Sequence, residues 1–395
     1  MIRSLTGISI KGSFGLGNFG DDALMVTVYH IITRVFEPKS IYFICHDAGY
    51  IQRILPDVKV VTPDKKNELK ADILLYGGGT QFFSFPLTGE RAIPSFRSIL
   101  KNIREPISIG TKILRRVRQL APPTETAQEL AAIGIGLGPF VQNSIKLYES
   151  KKLFRRMGYV AVRDIYSYRL CQEWGCKNVS LRSDLCYLPG LWQGYKSNYC
   201  NETNNKIDRI GVIVRDWKHT YEGDSYAKPL FCTIDYLRRA GKTVEFISFS
   251  AKSDIEWIKR LKDRNENITV WCPESDSISS FLRFLSSYDL FITSRYHGAI
   301  FASILRKPTV AIEIENKLKL VSDLLSDGAR LWTYPFNAAQ CLEHIAEFER
   351  NYSKSVNCID EVVKEQMRLA SRMADDFEMF CRGKIGESKS KYMRK

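Results

Sequence analysis

Arg295, His297 and Gly298 stand together in Ser294-Arg295-Tyr296-His297-Gly298, directly after the apolar run Leu290–Thr293. That run has strand composition, Ser294 is a helix-capping residue type, and Ile300, Phe301 and Ile304 continue in a helical pattern. A guanidinium holds a carboxylate or phosphate through paired hydrogen bonds, and an imidazole passes a proton near neutral pH. The start of a helix adds free N–H groups that suit an anion. In an open α/β sheet, the strand-to-helix edge is also where ligands bind. A surface arginine beside a core histidine fits this spacing equally well, so the remaining chain has to separate the two readings.

Three glycine-rich turns give the second set of candidates. Gly15-Leu16-Gly17-Asn18-Phe19-Gly20 matches GxGxxG between a strand pattern and a helix pattern. A dinucleotide there would place its pyrophosphate against Asp21 and Asp22, where like charges oppose it. Asp47, the acid closing the next strand, also comes later than the usual ~20 residues. The two carboxylates suit a helix cap or acceptors for sugar hydroxyls. Gly77-Gly78-Gly79-Thr80 and Gly136-Leu137-Gly138-Pro139 each close a strand pattern and let backbone approach a ligand. Three such turns on one sheet edge would meet in a single cleft.

Further cations lie at strand or helix ends. Arg163-Asp164 and Arg215-Asp216 each close a strand; a local ion pair explains Arg163, whereas Arg215 is the better anion ligand. Lys317 falls at a helix start, where a cation opposes the dipole unless it reaches an anion. Among the other histidines only His219 is a minor cleft candidate. No Cys, His, Asp or Glu set has metal-ligand spacing, so no metal is expected.

These residues need elements to hold them. Strand patterns at 5–11, 40–45, 58–61, 71–76, 131–139, 159–162 and 180–184, with a helix at 21–36, describe a first parallel α/β domain over 1–200. Gly77 should end the fourth strand, and a basic insertion over 82–130 exceeds normal loop length. Polar composition between Trp192 and Asp208 reads as a linker. A second α/β set over 208–335 has strands at 209–215, 244–249, 268–271, 290–293 and 309–312, and helices at 228–240, 253–264, 277–287 and 317–325. Amphipathic helices at 337–350 and 358–380 make up a C-terminal part, 336–381, and a basic tail over 382–395 is expected to be disordered. The predicted architecture is two Rossmann-like domains of mostly parallel strands facing a cleft.

Composition sets the class. A chain of 395 residues with 44% hydrophobic and 26% charged residues is globular and long enough for two cores. No signal-peptide core and no run near ~18 apolar residues is present, so a cytoplasmic location is expected and the ten scattered cysteines read as reduced thiols. Net charge is +14, concentrated in 91–118 and in the tail from Arg382. Basic residues in 91–118 alternate with Ile93, Phe96, Ile99, Leu100 and Ile103, a mixture suited to an anionic membrane surface. Peripheral attachment at the cytoplasmic face of a membrane, through 91–118 and the tail, is therefore expected, and no nucleic-acid module is recognisable.

The chain resembles the polysaccharide pyruvyl transferases. Gly17-Asn18-Phe19-Gly20-Asp21-Asp22-Ala23-Leu24, Ala71-Asp72-Ile73-Leu74 with Gly77-Gly78-Gly79, Gly138-Pro139, Arg163-Asp164, Ser294-Arg295-Tyr296-His297-Gly298 and Lys317 occur in that family's order, over residues 5 to 325. Glu313-Ile314-Glu315-Asn316 departs from the aromatic-Asp pair usual before the lysine, and the insertion is unexplained by the motifs. The resemblance implies a fold like that of two-domain, GT-B-type glycosyltransferases, with phosphoenolpyruvate as donor and co-substrate, no separate cofactor, and a sugar or lipid-linked saccharide as acceptor. On that basis His297 is the expected acid/base with Arg295 beside it. Arg215, Arg295, Lys317, Ser294 and Gly298 are expected on the donor side, and Gly17, Asn18, Asp21, Gly78 and Gly79 on the acceptor side. The competing readings are a glycosyltransferase with a nucleotide-sugar donor and a non-catalytic protein bound at a membrane surface.

Overall fold

The computed structural model describes residues 7–64, 71–85, 129–192 and 206–393. The basic segment 91–118 and most of the expected linker lie outside these residues. The first lobe runs β1 (Ile8–Lys11), α1 (Phe19–Ile32), β2 (Ile41–Ile44), α2 (Ala48–Ile54), β3 (Lys59–Val61), β4 (Ile73–Phe82), β5 (Glu129–Leu137), α3 (Ile145–Phe154), β6 (Tyr159–Val162), α4 (Ile165–Glu173) and β7 (Val179–Leu181). The second runs β8 (Arg209–Val214), α5 (Ala227–Arg239), β9 (Thr243–Ser248), α6 (Ile255–Asp263), β10 (Ile268–Val270), α7 (Ile278–Ser286), β11 (Leu290–Thr293), α8 (Tyr296–Ile304), β12 (Thr309–Ile312), α9 (Asn316–Leu325) and β13 (Ala329–Trp332).

Both sheets are parallel and have matching orders, 3-2-1-4-5-6-7 in the first and 10-9-8-11-12-13 in the second. Their central strands are almost wholly apolar and buried, as strands covered on both faces must be. In each sheet the winding reverses beside the first strand: β1 pairs with β2 and β4, and β8 with β9 and β11. Those reversals open crevices at the carboxyl ends of the strands.

Three boundaries differ from expectation. β4 does not stop at Gly77 but continues to Phe82, because Gly78 and Gly79 take positive φ while pairing with β5 continues through a register shift. Beyond it, Ser84 N donates to Pro139 O of the first lobe at 2.8 Å and Phe85 packs on Trp217 of the second, so the chain at 82–85 bridges the lobes, and 86–128 lie outside the described residues. The C-terminal chain forms α10 (Ala338–Arg350) and α11 (Tyr352–Met393), so the tail expected to be disordered is helical to Met393. Its early part is tied down by Arg382 to Glu378 at 2.8 Å one turn back and by Lys384 to Glu129 at 3.0 Å. α11 also joins the lobes: Ile359 lies against Gly328, while Phe377 and Phe380 pack on Tyr159 in β6.

The lobes interlock at Phe19. This fully buried ring, at the start of α1, sits 4.7–5.1 Å from Phe249, Trp271, Phe281 and Phe301 of the second lobe. Its backbone N–H donates to Phe249 O at 2.9 Å. Among the described residues, no helix is long and apolar enough to cross a membrane, and the cysteines are free thiols.

Candidate active site

The two crevices face each other across one cleft of about 230 Å³. Asn18 and Asp21 enter it from the β1–α1 turn, Gly79 and Thr80 from β4, and Arg163 from the end of β6. Arg215 follows β8, Arg295 to His297 follow β11, and Lys317 follows β12. Seven expected residues, Asn18, Asp21, Gly79, Arg215, Arg295, His297 and Lys317, thus come together from segments far apart in the chain.

Buried carboxylates hold the second lobe's cations. Arg295 pairs with Asp254, which is fully buried, yet its Nε makes no hydrogen bond among the described residues. Arg215 and Lys317 share Glu315, with Lys317 Nζ at 3.0 Å. Burial pushes Glu315 upward, but the adjacent Arg215 and Lys317 outweigh it and hold the carboxyl below its usual range. Burial lowers the Lys317 ammonium to about 8, against the pull of Glu315. Asp216 does not pair with Arg215 as adjacency suggests; it accepts from Glu256 N and Trp257 N at the start of α6.

His297 lies where the lobes meet. Its ring crosses Gly20 so closely that a Cβ there would fall 2.3 Å from Nδ1. Nε2 is 3.8 Å from Asp184 Oδ2, and the side chain is 12% exposed. Asp184 also accepts from Arg163 at 2.9 Å, and Arg163 donates a second bond to Thr80 Oγ1 at 2.9 Å while stacking 4.1 Å over Tyr296. Burial raises the Asp184 carboxyl, but His297 and Arg163 prevail and hold it below its ordinary range. Opposite, burial raises Asp21 despite His297, Lys317, Arg295 and Arg215. Asn18 Nδ2 donates to its carboxylate at 2.9 Å.

Four expected residues do not line the cleft. Ser294 is not the helix cap: Arg295 occupies that position, and the Ser294 hydroxyl is buried against Ile213 O at 3.2 Å. Gly298 allows α8 to pack on β11, since a Cβ would meet Thr293 Oγ1 at 2.2 Å. Gly17 shapes the turn at φ +73, and Gly78 faces Leu185 and Leu24. Their roles here are in packing and chain direction.

Arg163 and Asp184 are the larger omission from the expected site. Arg163 had the signal that singled out Arg215, an arginine closing a strand, but its neighbour Asp164 suggested a local pair. That pair is present, with Asp164 Oδ2 3.9 Å from Arg163 Nε, while Asp164 also caps α4 through Ser167 N at 2.7 Å and the closer partner of Arg163 is Asp184. Phe83, Phe85, Trp217 and His219 form an aromatic wall, with His219 stacked 4.5 Å from Phe85. Among the described residues, Asp184, Cys186 and His297 also come within 4.8 Å of one another, a grouping absent from the sequence spacing. Burial and Asp184 raise the Cys186 thiol well above its ordinary value. In this arrangement Arg163 already occupies the Asp184 carboxylate at 2.9 Å.

This pair of doubly wound lobes around a cationic cleft is an enzyme architecture of the GT-B type. A model of the polysaccharide pyruvyl transferase family matches residues 18–316, more than half of the chain, and the chain belongs to that family. No curated protein matches the chain. The fold is shared with the S. aureus MnaA–UDP co-structure (TM-score 0.57, 10% identity, 95% of this chain and 96% of that one). It is also similar to a putative UDP-N-acetylglucosamine 2-epimerase from Listeria monocytogenes (0.55, 12%, 94% and 95%). Sucrose-phosphate synthase from Thermosynechococcus elongatus is a further structural relative (0.53, 9%, 96% and 99%).

Proposed function

We propose that this chain transfers the enolpyruvyl group of phosphoenolpyruvate to a saccharide, forming a cyclic pyruvate ketal and releasing phosphate. The observation that carries the reading is the set of donors around one small cleft. Arg163, Arg215, Arg295 and Lys317 face it, and Arg163 Nε, Arg295 Nε and His297 Nε2 are buried without a hydrogen bond among the described residues. Such groups suit a compact ligand carrying both a carboxylate and a phosphate.

His297 protonates the donor's methylene carbon, and the adjacent carbon becomes an oxocarbenium-like electrophile. A sugar hydroxyl adds there and loses its proton. The carbon–oxygen bond to phosphate then breaks, and a second hydroxyl closes the ring as its proton leaves. Arg295, Arg215 and Lys317 bind the donor's anionic groups, Arg163 adds a cation from the first lobe, and Asn18 and Asp21 accept from the acceptor's hydroxyls. The aromatic wall suits the apolar face of a sugar ring. Attachment to an anionic membrane through 91–118 and the tail, with a lipid-linked saccharide presented there, belongs to the same proposal.

A nucleotide-sugar donor is the competing reading, because the MnaA relative holds UDP. The cleft's volume of about 230 Å³ favours the smaller dianion, since drug-sized ligands occupy roughly 300–1,000 Å³. Thermal-shift titration compares the two directly: phosphoenolpyruvate raises Tm and nucleotide sugars do not. The opposite ranking refutes the donor assignment.

A further inference from the structure

We propose that Asp184 is a positioning residue that sets the orientation of His297 while holding Arg163 in the same cleft. The inference rests on the pyruvyl-transfer reading for its catalytic consequence, but the contact itself is testable without turnover.

Asp184 follows β7 and is 1% exposed. One oxygen, Oδ2, serves two lobes: Arg163 of the first lies 2.9 Å away and His297 of the second 3.8 Å. The other, Oδ1, accepts from Cys186 N at 3.0 Å, which fixes the carboxylate's orientation. The imidazole cannot swing away, because its Nδ1 edge rests on the Gly20 backbone. The Asp184 carboxylate and the Arg163 guanidinium on the same oxygen present opposite charges to the imidazole. Other titratable groups near the imidazole among the described residues include Asp21 from α1, Cys186 beside Asp184, Tyr296 from its own helix, and the cleft cations Arg215, Arg295 and Lys317.

The two partners therefore predict opposite effects. In Asp184→Asn the His297 imidazole, followed by ¹⁵N NMR, titrates at lower pH than in the wild type, since a facing negative charge is lost. In Arg163→Met it titrates at higher pH, since the carboxylate is no longer shared. Thr80→Ala loosens Arg163 without touching the carboxylate, and leaves the imidazole midpoint within about 0.3 units of wild type, a scale small against the shifts expected from a direct charge partner. The pH profile of phosphate release from phosphoenolpyruvate moves with the NMR midpoint in each variant. Should Asp184→Asn fail to fold, the upward shift in Arg163→Met decides alone. An unchanged midpoint in folded Asp184→Asn, or shifts of one sign in both variants, overturns the proposal. Stoichiometric zinc that is retained by the wild type and lost in Asp184→Asn overturns it as well. Absence of phosphate release from the wild type, with the titrations moving as stated, refutes the pyruvyl-transfer reading and leaves the positioning contact standing.

Discussion

The two lobes share a strand order but locate their cleft residues by different means. At its β1–α1 turn the first relies on shape, since Asn18 and Asp21 stand on a glycine turn whose Phe19 is lodged among aromatic rings of the other lobe, although its Arg163 is held by Asp184. The second relies on charge: Arg295 is held by Asp254, and Arg215 with Lys317 by Glu315. The contrast follows from what each lobe presents. A turn that brings backbone close to a cleft needs small residues and an external anchor. Three cations in one pocket need buried counter-charges, or their mutual repulsion and desolvation would disperse them.

That contrast can be broken at four places. Phe19→Ala removes a fully buried ring from the other lobe and costs about 3–5 kcal/mol, read from denaturant unfolding. A loss under ~1 kcal/mol would mean that the first lobe's turn is self-supporting. Arg295→Ala leaves Asp254 buried and unpaired, and costs a comparable ~3–5 kcal/mol. Arg215→Ala costs far less, because Lys317 remains beside Glu315; equal losses in the two variants would remove the distinction. Gly20→Ala pushes a methyl into His297, and should lower kcat about 100-fold with the fold retained, measured as phosphate release.

The smallest effect is a pH slope at Asp22, which accepts from Tyr50 in its own lobe and, across the interface, from Trp271 Nε1. Burial raises its carboxyl to about 7. Between the unfolded value near 3.8 and about 7, the native state binds more protons than the unfolded state. Its stabilising contribution is therefore full below the unfolded pKa and lost as pH rises through 7, at up to ~1.4 kcal/mol per pH unit. Asp22→Asn should flatten that slope and melt higher than wild type at pH 8. A slope unchanged by the substitution assigns it to other groups.

Much of this was legible before the fold was known. Short apolar runs bounded by glycine or charge located β6, β11 and β12, because buried parallel strands carry an unbroken apolar pattern. His297 and Arg295 were visible as a strand-end pair. Asp184 was not, since its importance lies in reaching Arg163 and His297 from another strand end, and spacing along the chain does not encode that distance. Ser294 and Gly298 misled for a related reason. Residue types that suit a ligand at a helix start are the same types that let a helix begin and pack closely, and here Thr293 and Ile213 receive them. The tail past Cys381 looked disordered from its charge, whereas partners on α11 and β5 continue the helix.

The most direct test of the central claim is proton NMR of the protein incubated with phosphoenolpyruvate and a panel of saccharides. The account predicts that the donor's vinyl signals disappear while a ketal methyl signal appears on one acceptor, with neither change in folded His297→Ala. Unchanged phosphoenolpyruvate across the panel, alongside consumption of a nucleotide sugar, would contradict it.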